Sequence, residues 1–392
     1  MLYQLTKKIP NALGRAGVLT TSHGEIQTPA FVAVGTKATV KSLTPEQILA
    51  TGSQVVLANT YHLYLEPGEE IIKEAGGLHQ FMNWQGPTMT DSGGFQAFSL
   101  GVAYGEGIGK FIGTEKVKIQ SKSGEKLAKV TQEGVEFKSI IDGSTHFLSP
   151  EKSIQIQQDI GADIIFALDE FTSPHASHQK IKETIERTER WAERCLIENS
   201  KLKIENLKQA LFGIVQGGRH EDLRKESAKL ISNLDFAGFG IGGTFIKEDM
   251  ATAVRWVNEI LPEEKPRHLL GVGESIDLFL GVENGCDTFD CVAPTRIARN
   301  GGLYTKRGKI NILNAKYRNL FEPVESGCGC YTCQNYTCAY ISHLFRAKEM
   351  LAATLASIHN LYFLNSLMSQ IREAILNDTF YKLKEEFFSC YK

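Results

Sequence analysis

The sequence contains no apolar run long enough to cross a lipid bilayer, which argues against transmembrane helices. Its N-terminal segment has no apolar stretch of the kind that marks a secretory signal peptide. Internal repeats and low-complexity linkers are also missing, so no pattern divides the chain into separate units. We therefore expect a cytoplasmic protein whose residues 1–392 form a single domain with a large core.

An excess of charge of one sign is missing too, since 43 Lys and Arg residues are balanced by 45 Asp and Glu residues. The chain is therefore not a polycation, and any nucleic-acid site must be a local patch. One segment, 291–321, contains no acidic residue but several basic ones: Arg296, Arg299, Lys306, Arg307, Lys309, Lys316 and Arg318. By itself this segment does not establish nucleic-acid binding, because basic loops without a ligand are common.

Four of the eight cysteines are isolated in the sequence. The other four lie in one short segment: Cys328, Cys330, Cys333 and Cys338. In a reducing compartment such a cluster indicates a metal site rather than disulfides. The Cys-x-Cys-x2-Cys spacing supplies three thiolates of a tetrahedral zinc site, and Cys338, His343 or His359 could supply the fourth ligand. Because a closed site of this kind leaves no position for substrate water, we expect the zinc to be structural.

Short apolar runs, each ending in small or polar residues, recur through most of the chain. Their continuous hydrophobicity is typical of parallel strands that are buried on both faces. There are eight such runs, with helical segments between them: 30–35, 54–60, 87–93, 163–170, 210–217, 236–243, 268–273 and 286–292. This alternation predicts an α/β fold of the (β/α)8 barrel type, and an open doubly wound sheet is the alternative.

Three parts of the chain do not fit the alternation. Residues 1–29 predict a short β-ribbon that could cover the barrel floor, the face at the N-terminal strand ends. Residues 99–145 predict a hairpin excursion around Ser123–Gly124. The cysteine cluster predicts a metal-binding subdomain at about 315–365, inserted after the last strand.

Polar residues end several of the predicted strands: Asp91, Asp169, Gln216, Gly243 and Asp290. In a barrel these strand ends converge on one mouth. Two carboxylates that face an anomeric carbon can perform retaining glycosyl transfer, one as nucleophile and one as general acid/base. A third carboxylate, an amide and backbone N–H groups can hydrogen-bond the edge of a base such as guanine. Each Asp alone could equally be a helix N-cap, but three together among glycines favour a catalytic pocket.

These motifs resemble the tRNA-guanine transglycosylase family of the bacterial type, and the resemblance covers nearly the whole chain. The matching segments include TDSGGFQ at Asp91, TFDCVAPTRIARNG at Asp290, and CGCYTC at the cysteine cluster. The resemblance implies a (β/α)8 barrel with a zinc subdomain and a homodimeric assembly. It also implies exchange of guanine at the wobble position of GUN-anticodon tRNAs for 7-aminomethyl-7-deazaguanine (preQ1), in queuosine biosynthesis.

The resemblance also implies a role for each matching residue. Asp290 would be the nucleophile that forms a covalent tRNA–enzyme intermediate at the ribose C1′, and Asp91 would be the general acid/base. Arg296 and Arg299 would bind anticodon-loop phosphates. The zinc ligands would be the three cysteines of CGCYTC and His359. The base would be bound by five residues: Phe95, Asp169, Gln216, Gly243 and Leu270.

Relative to the family pattern, the chain has a hairpin-like insertion at about 101–128. Two further departures lie where the incoming base should bind. Phe171 stands where bacterial members usually have Cys, and Lys247 replaces a glycine in the loop 244–247. A queuine-inserting enzyme is therefore one alternative. A non-catalytic tRNA-binding subunit is another, although Asp91 and Asp290 are both present. A zinc-dependent hydrolase is a third alternative. It would need His or carboxylate ligands with an open coordination position at the strand ends, but these ends contain no pair of histidines, and His62 is the nearest one.

Overall fold

A computed structural model describes residues 2–102, 128–173, 175–201, 209–243 and 247–391. The predicted hairpin at Ser123–Gly124 and nearly all of the predicted 101–128 insertion lie outside these residues. Within the described part of the chain, no helix is both long enough and apolar enough to cross a membrane.

The strands of the described residues fall into four sheets. In chain order they are β1 (Leu2–Lys8), β2 (Arg15–Thr21), β3 (Gly24–Thr28), β4 (Ala30–Val34), β5 (Val56–Ala58), β6 (Thr88–Thr90), β7 (Ala128–Val130), β8 (Val135–Lys138), β9 (Thr145–Leu148), β10 (Ile164–Phe166), β11 (Ala210–Val215), β12 (Gly238–Ile241), β13 (Arg267–Leu269), β14 (Thr288–Asp290), β15 (Gly302–Thr305) and β16 (Gly308–Asn311).

The α-helices of the described residues lie between and after these strands. In chain order they are α1 (Pro45–Ala50), α2 (Thr60–Leu65), α3 (Glu69–Glu74), α4 (Leu78–Met82), α5 (Gly94–Val102), α6 (Pro150–Ile160), α7 (His178–Lys201), α8 (Glu221–Ser232), α9 (Met250–Asn258), α10 (Ser275–Glu283), α11 (Ala293–Ala298), α12 (Tyr331–Asn335), α13 (Cys338–Ala347), α14 (Met350–Leu376) and α15 (Phe380–Cys390). Short 3-10 turns occupy Lys247–Asp249 and Ala315–Tyr317.

Eight parallel strands close into a barrel in the order β4, β5, β6, β10, β11, β12, β13, β14. The last of them, β14, pairs with β4 in parallel, with Phe289 opposite Phe31, and this pairing completes the ring. All eight strands expected from the apolar runs are therefore confirmed. Because the ring is closed, the alternative of an open doubly wound sheet is wrong.

The barrel strands are apolar on both faces because one face lines the interior and the other packs against helices. On β4, Ala30, Val32 and Val34 belong to the interior cluster, whereas Phe31 and Ala33 belong to the cluster beneath the helices. This alternation follows from the two-residue period of a strand. The inward positions nearest the mouth are thereby available for polar side chains.

Helix starts follow the capping signals in the sequence. Thr44 accepts a hydrogen bond from the Gln47 N–H, and the Gln47 side chain accepts one from the Thr44 N–H, so a capping box opens α1. Ser149 caps α6, with Pro150 in its first turn, and Gly161 ends the helix with a φ of +78°. These local contacts set where each helix begins and ends relative to its strand.

The N-terminal ribbon β1–β3 covers the barrel floor. Arg15 and Asp287 are both fully buried there, and the guanidinium donates to both carboxylate oxygens, at 2.9 and 2.7 Å. Tyr3 donates a further hydrogen bond of 2.7 Å to the same carboxylate. Because Asp287 immediately precedes β14, this bidentate ion pair clamps the ribbon to the N-terminal end of a barrel strand.

Two smaller units complete the described structure. Strands β7, β8 and β9 form an antiparallel sheet, and β15 and β16 form a hairpin after the last barrel strand. The long helix α14 joins the C-terminal region to the barrel, since Asn365 donates to the Thr51 carbonyl at 3.1 Å. It therefore links the cysteine cluster, to which His359 belongs, with the floor side of the barrel, where Arg372 donates to the Thr28 carbonyl.

Candidate active site and metal centre

The barrel mouth gathers the polar residues that were predicted to end the strands. Asp91 directly follows β6, Gln216 directly follows β11, and Asp290 is the last residue of β14. Asp169 and Gly243 lie two or three residues beyond their strands. Ser92 connects two of the strand ends by donating to Asp169 Oδ1 at 3.3 Å. The structure therefore brings together every strand-end residue that the sequence singled out.

Asp91 is held at the mouth by donors from two loops. Its Oδ1 accepts hydrogen bonds of 3.1 Å from the backbone N–H groups of Thr60 and Gly93, and the Asn59 amide donates to its Oδ2. Burial raises the pKa of this carboxyl to about 7, and the nearby Asp290 carboxylate acts in the same direction. A carboxyl with this pKa can both carry and release a proton near neutral pH.

Asp290 is oriented by a backbone N–H group and an imidazole ring. Its Oδ1 lies 2.7 Å from the Gly271 backbone nitrogen and 3.1 Å from Nε2 of His268. The side chain keeps 13% exposure, so it is reachable from the mouth, whereas His268 is fully buried. No motif spacing predicted His268. The available signal was its place at the start of the seventh apolar run, beside the strand that carries Asp290.

The amide of Gln216 and the carboxylate of Asp169 form a pair, in which the amide nitrogen donates to Oδ2. The other amide atom, Oε1 of Gln216, is buried and has no hydrogen-bond partner in the described part of the chain. Gly243 lies beside it with a φ of +84°, and a Cβ there would come within 3.0 Å of Oε1. The pocket therefore offers an unsatisfied acceptor next to backbone that only glycine accommodates well.

Arg224, which the sequence analysis did not predict, donates hydrogen bonds to the backbone beside this pocket. The side chain is fully buried, and its guanidinium donates to the carbonyls of Gly218 and Gly242 at 2.8 and 2.7 Å. Burial lowers its pKa to about 9, so it remains a cation at neutral pH. The signal was present in the sequence, because Arg224 shares the apolar stripe of α8 with Ala228 and Ile231.

The apolar part of the pocket contains Phe95, Phe171 and Leu270. Phe95 and Phe171 meet edge to face, with ring centroids 4.7 Å apart and an interplanar angle of 90°. Both phenylalanines and Leu270 are half-buried, as expected for walls of an open pocket. Phe171, the departure noted in the sequence, therefore contacts the Phe95 ring directly. Lys247 begins a 3-10 turn, and residues 244–246 lie outside the described part.

Arg296 and Arg299 lie in and just after α11, the helix that follows Asp290. Arg296 is exposed, and Arg299 is half-buried, with its guanidinium donating to the Thr295 carbonyl at 2.9 Å. Burial and the neighbouring Arg296 lower the pKa of Arg299. Two adjacent cations at the rim of the mouth suit a polyanionic ligand.

The cysteine cluster and one histidine form the candidate metal centre. Sγ atoms of Cys328, Cys330 and Cys333 lie 4.0, 3.5 and 3.3 Å from Nδ1 of His359. Tetrahedral zinc with Zn–S of about 2.3 Å and Zn–N of about 2.1 Å would place its ligand atoms roughly 3.5 to 3.8 Å apart, so the donor set fits. Cys338 and His343, the other candidates, do not belong to this cluster.

The second nitrogen of His359 explains how the ring is held for a metal. Nε2 lies 2.7 Å from the Tyr304 carbonyl oxygen, which can only accept, so Nε2 carries the proton. The lone pair of Nδ1 then faces the three sulfur atoms. Zinc there would tie the β15–β16 hairpin, the loop at 328–333 and α14 together, without providing a position for substrate.

Comparisons with known proteins agree with this architecture. A family profile described as "Queuine tRNA-ribosyltransferase" matches residues 11–392. A protein named queuine tRNA-ribosyltransferase from Thermoanaerobacter pseudethanolicus is 49% identical over 392 residues, which cover 99% of this chain and 97% of that protein. Proteins of the same name from Desulforamulus reducens and a Staphylococcus aureus strain are each 47% identical, covering 99% of this chain and 98% and 96% of theirs.

Proposed function

The chain belongs to the queuine tRNA-ribosyltransferase family, and we propose that it exchanges guanine at the wobble position of GUN-anticodon tRNAs for preQ1. As a member of this family it is a tRNA-guanine ribosyltransferase, a pentosyltransferase. The proposed base exchange rests on one observation: the carboxyl groups of Asp91 and Asp290 lie near each other at the barrel mouth. Asp91 has a raised pKa, and Asp290 lies close enough to contribute to it.

The proposed chemistry is a double displacement. A carboxylate oxygen of Asp290 attacks the ribose C1′, the bond from C1′ to N9 of guanine breaks, and Asp91 gives its proton to the departing base. In the second half, Asp91 takes the N9 proton of the incoming base as that nitrogen attacks C1′. The ester bond then breaks, and its electron pair returns to Asp290. The proton balance is restored at Asp91, so no further reactant is needed.

The base-binding role falls to the pocket beside these carboxyls. A guanine-like base would offer N1–H and its 2-amino group to Asp169, while its O6 would accept from the Gln216 amide and the Gly243 backbone N–H. Binding would also satisfy the buried Gln216 Oε1 through an N–H of the ligand or through amide reorientation. Phe95 would stack on one face of the base and Leu270 would contact the other. The wobble nucleotide must leave its stack to enter such a pocket.

Arg296 and Arg299 are the proposed phosphate contacts. They lie on the rim next to Asp290, and no ion pair joins either of them to an acidic residue within the described ranges. Phosphates on both sides of a flipped nucleotide would then be held while the base is exchanged. Removing one such contact weakens binding and its salt dependence without changing the chemistry.

Phe171 bears on which base is inserted. Its edge-to-face contact narrows the pocket around Phe95, and this favours preQ1, with its small aminomethyl substituent, over the much larger substituent of queuine. An assay of competing unlabelled bases tests the preference. Displacement of labelled guanine by queuine at lower concentration than by preQ1 would contradict it.

Zinc at Cys328, Cys330, Cys333 and His359 is proposed as structural, one ion per subunit. A homodimer is also proposed, and an exposed row of aromatic side chains on the same subdomain supports it. Tyr336 stacks on Tyr340 with ring centroids 5.4 Å apart, and Tyr340 is 41% exposed. Since the substrate is tRNA, the cytoplasm is the proposed compartment.

Transfer of label tests the proposed activity directly. The purified protein is incubated with unmodified GUN-anticodon tRNA and labelled guanine, and label in precipitated tRNA is counted. Incorporation by the parent protein, and none by an Asp290→Ala variant that remains folded, is the expected result. A zinc-loaded parent protein that incorporates no label would overturn the proposal in favour of a non-catalytic tRNA binder.

A further inference from the structure

One buried imidazole at the mouth has no role in the chemistry described so far. His268 lies on β13 with its side chain fully buried inside the barrel, where its ring packs 5.4 Å from the ring of Phe166. Its Nδ1 lies 2.9 Å from Oγ1 of Thr288, and its Nε2 lies 3.1 Å from Oδ1 of Asp290. The ring therefore bridges two inward positions of the neighbouring strand β14.

Thr288 can determine which nitrogen of His268 carries the proton. A threonine hydroxyl can donate to Nδ1, and a neutral imidazole then carries its proton on Nε2. With that tautomer, Nε2–H points to a carboxylate that can only accept. The backbone N–H of Gly271 donates to the same oxygen at 2.7 Å. Oδ1 of Asp290 thus has two donors that approach from one neighbouring strand and its loop.

We propose that His268 is a positioning residue for Asp290, an inference that rests on the exchange reaction proposed above. By holding Oδ1, the imidazole and the Gly271 N–H fix the plane of the carboxylate and assign Oδ2 to form the bond with C1′. In the resulting ester, Oδ1 is the carbonyl oxygen, and the two hydrogen bonds polarise it. When the incoming base attacks C1′, the electron pair of the C1′–Oδ2 bond returns to a carboxylate that already has its donors in place.

A matched pair of variants separates this role from simple packing. In His268→Gln the amide nitrogen can reach the place of Nε2 and donate to Asp290. In His268→Asn the shorter amide reaches the place of Nδ1 and can bond only Thr288. Both replacements are neutral amides of similar polarity, so a purely structural role for the ring would affect them alike.

The measurement is single-turnover formation of the covalent complex with an unmodified anticodon stem–loop RNA, followed by its breakdown when guanine is added. We expect both rates to fall about 10- to 100-fold in His268→Asn and to stay within about threefold of the parent in His268→Gln, as for loss of one hydrogen bond to a charged group. The KM for guanine should not change, because the contacts of the imidazole given above are with Phe166, Thr288 and Asp290. Thermal unfolding of both variants is the control.

The outcomes separate the two proposals. Equal rates in the Asn and Gln variants, or an Asn variant as fast as the parent, would overturn the positioning role while leaving the exchange reaction intact. If the parent protein exchanges guanine without forming any covalent complex, the nucleophilic role of Asp290 is overturned, and the positioning role with it. A raised KM for guanine with unchanged single-turnover rates would place His268 in base binding instead.

Discussion

Asp287 directly precedes the short strand β14, and Asp290 is its last residue. The two carboxylates receive hydrogen bonds from different types of group. At the floor, Asp287 is fully buried against the guanidinium of Arg15, with a further hydrogen bond from Tyr3. At the mouth, Asp290 receives hydrogen bonds from His268 and from the Gly271 backbone. One carboxylate has a full countercharge, whereas the other is held by a backbone amide and an imidazole.

The same contrast holds for a second pair of carboxyls. At the floor, burial acts to raise the pKa of Asp163, but hydrogen bonds from His79, His23 and the Thr88 N–H lower it overall. At the mouth, burial raises the pKa of Asp91 despite three hydrogen bonds. The floor carboxyls are therefore paired with Arg15 and His23 of the N-terminal ribbon and fasten the ribbon to the barrel. Mouth carboxyls are left able to react, which is the expected division in this fold.

The largest expected effect is on activity at the mouth. Replacing Asp290 with Asn preserves shape but removes the nucleophile, so we expect guanine exchange to fall by at least about 1000-fold. The thermal midpoint should stay the same or rise, because an acidic group in a partly buried site is lost. Label incorporation and thermal unfolding of the same preparation check both parts. An Asn variant that retains a tenth of the activity would contradict the nucleophile assignment.

The next largest effect is on the pH dependence of covalent complex formation, which Asp91 should control. Because departure of guanine needs a proton on Asp91, and its pKa is about 7, covalent complex formation should slow as pH rises through about 7. In Asp91→Asn that dependence should disappear, and the rate should be roughly 100- to 10,000-fold lower. Single-turnover rates from pH 5.5 to 9 measure both. A rate that rises through pH 7 would contradict the acid role.

Stability gives an independent check on the same carboxyl. The unfolded state releases this proton near a pKa of about 3.9, whereas the folded state keeps it until about 7, so the folded protein loses stability relative to Asp91→Asn as pH rises through that window. Below about pH 4 the two proteins should differ least, and above about pH 7 the difference should be constant. Urea unfolding at several pH values measures it. A difference that does not vary with pH would mean that the pKa is not raised.

At the floor the expected effect is on stability instead. Arg15→Met leaves Asp287 buried without its countercharge, and loss of one partner of a buried pair costs about 3 to 5 kcal/mol. Exchange activity per folded molecule should be unchanged, since Arg15 and Asp287 lie at the opposite end of the barrel from the mouth. Denaturant unfolding and label incorporation at low temperature test the prediction. A double variant, Arg15→Met with Asp287→Leu, is the control and should recover much of the stability.

The smallest expected effect is at the rim of the floor. His23 is 39% exposed and lies 2.7 Å from Asp163, so His23→Gln should cost roughly 0.5 kcal/mol, in the range of exposed ion pairs. Thermal unfolding of the parent protein and the variant under the same conditions measures it. A loss of several kcal/mol would show that this pair contributes as much as the buried Arg15–Asp287 pair.

Much of the mouth was predictable because its residues follow strands. Asp91, Gln216 and Asp290 each end an apolar run, and a barrel places such ends at one edge. The cysteine spacing likewise indicated a metal centre, and the resemblance selected His359 over Cys338 and His343. Apart from the choice of His359, these predictions used the local sequence pattern and the convergence of strand ends in a parallel barrel.

The supporting residues were not predictable in the same way. Arg224 and His268 lie among apolar neighbours on a helix and a strand, and this position indicates burial but does not identify the group that each side chain contacts. The partner of Asp287 is Arg15, 272 residues away in the chain, and many arginines could have served. Spacing does not identify such partners, since it describes neighbours along one element only.

The sequence by itself determined the eight strands, the caps of α1 and α6, and the positions of the reactive carboxyls, because these follow from side-chain periodicity and short-range hydrogen bonding. The tertiary structure alone decided which carboxylates are paired with a basic side chain of the ribbon and which face the mouth. That outcome depends on burial and on the charges that other elements bring within a few ångströms. The contact of Arg15 with Asp287 before β14, and the hydrogen bonds from Gly271 and His268 to Asp290 at its end, exist only once the barrel has closed.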